Sequence, residues 1–348
     1  MERALRCGQV TGGPVTGRAA LGLGWLLSMM VAAGAVLLAV VRPQPVLGDA
    51  PIVLDRATGA LYVRIGDTVH PVYNLASARL ITGAAEPRPV DGTAIGRVRR
   101  GPPLGIPGAP GVLGAALPGA VTWSLCEDSA GTTLIVGVEP SPSAHLDPQQ
   151  AIPVRAESGA TYLLINGQRI ALDPADPLLD SAAPRRVSAL LLNAIPVAPP
   201  AVAADPVDRR TVGLAPATLC AHWRADDPAG TALSGGVRLP AGETPTVLAQ
   251  ADGPGSALDE VYLPAGHSAY VRAVDTSGQP GGVGYLIADS GVRFTVDDDD
   301  AASRLGLPAV AAGVPWPMLA GLPAGPRLSR DQALLSRDVV LSPTAPGR

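Results

Sequence analysis

Four histidines, three cysteines and a run of four aspartates are the side chains of this 348-residue chain most able to do chemistry. His70, His145, His222 and His267 are scattered, and no HExxH, CxxC or GxSxG pattern accompanies them. His70 falls in a strand-like run and His267 beside a Gly turn, so structural or solvated roles are expected for each. A zinc site on Cys220 and His222 would need a further ligand from elsewhere, and the spacing is poor. Asp297–Asp300 could gather a calcium ion, but the ordered ligand spacing of a calcium loop is missing. The run leads into "DAASRLGL", where acids cap a helix and complement its dipole. A P-loop is excluded, because GxxxxGK[ST] needs a lysine and every basic residue here is arginine. No catalytic residue, cofactor or metal is therefore expected. A net charge of −4 gives no reason to expect nucleic acid.

Compartment decides what the cysteines do. Ala19–Val41 is 23 residues without a charge, bracketed by Arg18 and Arg42. That length spans a bilayer as a helix. Arg3, Arg6 and Arg18 against Glu2 place residues 1–18 in the cytoplasm and the bulk outside. A cleaved signal peptide is the rival reading. Its apolar region would be shorter and followed by a small-x-small site, whereas this run ends in "VVRPQP". The expectation is a single-pass protein of the cell (inner) membrane. Cys126 and Cys220 then lie in an oxidising compartment, within three residues of Trp123 and Trp223 respectively. They are expected to form one disulfide, two buried free thiols being the alternative. Cys7 stays cytoplasmic and unpaired.

The elements that hold these residues repeat. "ALYVRIGDTVHPVYN" (60–74), "ATYLLINGQRIAL" (160–172) and "GYLIADSGVRFTV" (284–296) each carry a tyrosine in an apolar run, a Gly-containing turn and a second run. That is a β-hairpin pattern. Small-residue helical stretches follow the first and third copies, so the unit reads as ββα. A unit of about forty residues cannot bury a core alone and must flank a shared centre. The expected fold is a single span plus an α+β extracytoplasmic region. Its central β-rich domain is cross-linked by the disulfide and flanked by the ββα modules.

The expected boundaries are a cytosolic 1–18, a span 19–41, a linker 42–49 and a module 50–96. Central residues 97–150 precede an inserted module 151–182. A helix, a Pro-rich connection and the second central part fill 183–282. A third module covers 283–326, and a C-terminal helix and tail 327–348. In "PWPMLAGLPAGPRL", Trp316, Met318, Leu319 and Leu322 sit among prolines with no periodicity that would bury them all. They are interface candidates for self-association, packing on the central sheet being the alternative.

Several stretches, in order over about Pro43–Leu335, resemble one family. They are "GALYV…HPVYNLASARLITG", "LGIPGAP", "TWSLC", "LLLNAIPVAPP", "LCAHW" and "DSGVRF…LGLP…PWPMLAGLPAGPRLSRDQAL". The set resembles EccB, the single-span membrane subunit of type VII (ESX) secretion systems. The resemblance implies a structural subunit that assembles with EccC, EccD and EccE, forms a periplasm-facing layer and supports protein export. It also implies a central β domain with four repeats similar to phage-lysin cell-wall-binding modules, hence cell-wall contact. The family is often labelled an ATPase, a label at odds with a lysine-free chain. Only three repeats are legible here, and 18 residues, Ala201–Thr218, stand where a fourth is expected. The cytosolic arm is also shorter than the family's basic segment. An independent membrane-anchored cell-wall-binding protein is the alternative reading.

Overall fold

The computed structural model describes residues 24–25, 27–34, 47–83, 86–180, 183–200, 212–227, 230–275 and 279–337. Residues 24–25 and 27–34 are helical. The rest of the expected 19–41 span lies outside the described residues, as does Cys7. Among the described residues no helix is long and apolar enough to cross a membrane.

Three sheets share one plan. In the first, β1 (Ile52–Asp55), β2 (Leu61–Ile65) and β3 (Thr68–Val72) form an antiparallel meander. Helix α1 (Leu75–Thr82) follows, and β4 (Arg88–Val90) returns parallel to β1 before α2 (Gly92–Ile95). A short β5 (Arg99–Arg100) adds parallel to β3. Local chemistry sets these limits. Asn74 caps α1 by accepting from the Ser77 N–H, and Gly83 ends it in the left-handed region at φ 72°.

The second sheet repeats the meander with β9 (Ile152–Ala156), β10 (Thr161–Ile165) and β11 (Gln168–Leu172). β12 (Arg185–Val187) returns parallel to β9, and α3 (Ala189–Ala194) follows on a Ser188 cap. Asn166 and Gly167, both at positive φ, make the two-residue turn that an Asn-Gly pair favours. The third sheet has β17 (His267–Val274), β18 (Pro280–Ala288) and β19 (Arg293–Val296). Helix α4 (Asp299–Leu305), β20 (Ala312–Pro315) parallel to β17, and α5 (Trp316–Ala320) complete it.

The unit is thus larger than a ββα hairpin with a helix. It starts one strand earlier and ends one strand and one helix later. Tyr62, Tyr162 and Tyr285 occupy the same place in all three, opposite Val53, Val154 and Val271 of the first strand. His267–Val274 was expected in the central domain. Its antiparallel register with β18, from Ser268 opposite Ala288 onward, puts it in the third sheet instead.

The central sheet has the order β14-β13-β7-β8-β16-β15. Its strands are β7 (Trp123–Glu127), β8 (Thr132–Val136), β13 (Leu219–Trp223), β14 (Thr231–Ser234), β15 (Thr246–Val247) and β16 (Glu260–Tyr262). The second unit is inserted between β8 and β13. Trp123, Leu125, Leu134, Leu219 and Ala221 form a core with Ile152 and Leu191 of the second unit and Val271 and Val314 of the third. A separate core joins α1 to α4 and to α6 (Arg330–Leu334) through Leu80, Leu305 and Ala333. The Pro/Gly stretch after β5 laces these parts together. Leu104 bridges to Val72 and Ser336, and β6 (Ala115–Ala116) pairs with β17. Burying such cores is the dominant favourable term for units too small to fold singly.

Candidate functional site

β7 and β13 run antiparallel with Cys126 directly opposite Cys220, and the two are joined by a disulfide. Cys220 is fully buried and Cys126 nearly so, against Ile135 and Tyr262. Two residues along, Ser124 stands opposite His222, which stands opposite Ala232. The Ser124 hydroxyl lies 2.7 Å from His222 Nδ1, and Ser234 Oγ lies 2.6 Å from Nε2.

Such a serine–histidine contact is the geometry of a nucleophile and its base. Burial argues against that role, because Ser124 and Ser234 are at 0% exposure and His222 at 4%. Satisfaction of the network explains the arrangement instead. Ser234 donates to the Gly236 carbonyl and accepts from the Gly236 N–H. Its oxygen then accepts from Nε2–H, leaving Nδ1 to accept from Ser124. A neutral imidazole satisfies each of these contacts, whereas a protonated one would turn Ser124 from donor to acceptor at Nδ1. Burial pushes the His222 pKa down to about 4, with the neighbouring His145 adding to the effect.

The remaining residues singled out above fall into place structurally. His70 Nδ1 contacts the Pro102 carbonyl at 3.0 Å, and His267 Nδ1 contacts the Ala265 carbonyl at 3.1 Å. Each member of the aspartate run is engaged. Asp298 caps α4 by accepting from the Ala301 N–H, Asp297 pairs with Arg327, Asp299 with Arg272 and Asp300 with Arg304. Among the described residues no group of three or more His, Cys, Asp or Glu side chains could hold a metal ion.

The C-terminal expectation needs correction. Met318, Leu319 and Leu322 are at 1%, 0% and 2% exposure and belong to the main core, because α5 packs against α3 and β17. Trp316, at 43% exposure, is the one of the four that faces outward. Arg293 lies over its ring at 4.6 Å and over the Tyr285 ring at 5.0 Å. Trp316 and Tyr285 stand out separately in the sequence, whereas Arg293 does not. The signal was the register, since Arg169 and Arg293 both oppose the residue two places after the repeat tyrosine.

An open groove of about 540 Å³ lies between the end of β7, β12 and the loop at Pro254. Glu127 there accepts from the Ser188 N–H, Arg185 donates to the Glu127 carbonyl, and Glu157 accepts from Ser256. These contacts join the second unit to the central sheet.

The family model for the type VII secretion system ESX-1 transport TM domain B, EccB, matches residues 13–212 and 200–342. The chain belongs to the EccB family. A relative named ESX-3 secretion system ATPase EccB3, from Mycolicibacterium smegmatis, is 29% identical over 422 residues, covering 88% of this chain and 82% of its own length. The ESX-2 secretion system ATPase EccB2 of Mycobacterium tuberculosis is 29% identical, with 92% and 88% covered. Among solved structures, the EccB3 dimer from the ESX-3 core complex is similar with a TM-score of 0.67 and 27% identity. That similarity covers 82% of this chain and 100% of that one. A chain of an intact ESX-5 inner membrane complex shares the fold at a TM-score of 0.70 and 24% identity, with 99% and 94% covered. The mixed α+β architecture is thus the EccB one.

Proposed function

We propose that this chain is a structural subunit of a type VII (ESX) secretion complex in the inner membrane. One N-terminal helix anchors it, and its remaining bulk forms part of a periplasm-facing layer that supports protein export. The observation that carries this reading is similarity over 82% of this chain to the EccB3 dimer from the ESX-3 core complex. EccC, EccD and EccE type subunits are its partners in this reading, and self-association follows from the same likeness. The three sheets of like plan are copies of one module, supported by tyrosines in the same register. The alignment with the M. smegmatis relative is 422 residues long yet spans only 88% of these 348 residues. More than a hundred of its positions therefore have no counterpart here, which supports a missing fourth module.

The relatives carry the word ATPase in their names. This reading gives the present chain no nucleotide hydrolysis, because it has no lysine for a Walker A loop.

The uncharged Ala19–Val41 run and its arginine flank predict an N-in, C-out topology. Trp25, Leu27, Met29, Met30 and Val31 are all exposed on the described helical residues, as lipid-facing side chains are. A reporter active only outside the membrane should work when fused after Arg348 and fail when fused at Arg18. The reverse pattern would sink the compartment and with it the periplasmic role.

A further inference from the structure

Each unit sets an arginine over its repeat tyrosine. Arg100 stands 5.8 Å from the Tyr62 ring, Arg169 stands 5.8 Å from Tyr162, and Arg293 stands 5.0 Å from Tyr285. The third copy differs from the second in what surrounds the cation. Arg169 also reaches Asn193 on α3 at 3.5 Å. Arg293 instead meets Trp316 at the start of α5, and the Trp316 and Tyr285 rings are 5.9 Å apart.

Arg293 has no carboxylate within ion-pair distance, and its guanidinium makes no hydrogen bond, among the described residues. Its Nε is buried without a partner, a feature it shares with Arg169, so what sets the third copy apart is the Trp316 ring. Burial lowers the Arg293 pKa, with Tyr285 pulling more weakly the other way. A half-buried cation bearing unused donors is held at a cost that a bound anion would offset. The surroundings show the kind of anion. Val283, on the same face of β18 as Tyr285, is 42% exposed, and Trp316 is 43% exposed. An arginine between a half-buried Tyr285 and an exposed Trp316 has the residue types enriched in interface hot spots. The guanidinium fork matches a planar carboxylate by two parallel hydrogen bonds.

We propose that Arg293, held over Tyr285 and Trp316, is a receptor for an acidic side chain presented by a protein partner. This deepens the reading of the chain as a subunit among others. Its test needs no partner, so either can fail alone.

The full-length chain in detergent would carry 5-fluorotryptophan, with the Trp316 resonance assigned by Trp316→Phe. N-acetyl-glutamate amide is titrated against its glutamine counterpart. The glutamate probe should shift the Trp316 resonance saturably, and the glutamine probe should bind about tenfold more weakly. Arg293→Gln should abolish the shift and Arg293→Lys should weaken it, while the Trp123 and Trp223 resonances stay in place as markers of the fold. Equal effects of the two probes would overturn the proposal. So would a Trp316 resonance that never moves in a chain whose Trp123 and Trp223 resonances are native, or displacement of the glutamate probe by a lower concentration of inorganic phosphate.

Discussion

Cys126→Ser should lower the stability of the outer region by about 2–5 kcal/mol. The cross-link joins residues 94 apart in sequence, and the second unit lies wholly inside that loop. In the chain-entropy view, opening a loop of that size restores freedom to the unfolded chain on the order of 4 kcal/mol. Burial adds to the effect, since Cys220 is fully buried and would be left as an unpaired thiol beside a new hydroxyl. Reduction of the wild-type chain should reproduce most of the loss, and Cys220→Ser should match Cys126→Ser. Thermal unfolding with and without reductant checks this. An unchanged midpoint on reduction, with both thiols then free to label, would show that the clamp contributes little.

Stability should also fall with acid through His222. Its folded pKa of about 4 lies below the ordinary value of 6.5. Between those values the unfolded chain binds a proton that the folded chain refuses. The stability from the neutral network is therefore present in full above about pH 6.5. It is lost progressively as pH falls towards 4, by about 3 kcal/mol in all. His222→Gln keeps a donor and an acceptor towards Ser124 and Ser234 but cannot take up the proton. Unfolding measured from pH 7.5 to 4.5 should show a steeper loss for the wild type than for this variant. Parallel curves would mean that His222 titrates normally or that other groups dominate.

Much of the scaffold was legible because local chemistry wrote it plainly. Asp298 and Ser329 cap the helices that follow them, as their residue types and positions announce. Asn166-Gly167 made its turn for the same reason. The disulfide followed from two cysteines in apolar settings on the same side of one apolar span. What stayed hidden was long-range. β4, β12 and β20 are three or four residues each and return parallel to strands about thirty to forty residues earlier, a pairing that no local period encodes. His267–Val274 looked like any other strand until its partner was known. Prolines around Met318, Leu319 and Leu322 disguised a short helix whose buried face has no room for a helical period. The stacking of Arg293 on Trp316 joins residues from different elements, and only the fold brings them together.

Co-purification decides whether this chain works as one subunit of an ESX membrane complex. Tagged chain, expressed in its own cells and extracted in mild detergent, should elute with EccC, EccD and EccE type subunits in one large assembly that holds more than one copy of this chain. Should it instead elute alone from a fully solubilised membrane whose other ESX subunits remain assembled, the account is contradicted. An independent membrane-anchored wall-binding protein would then be the better reading.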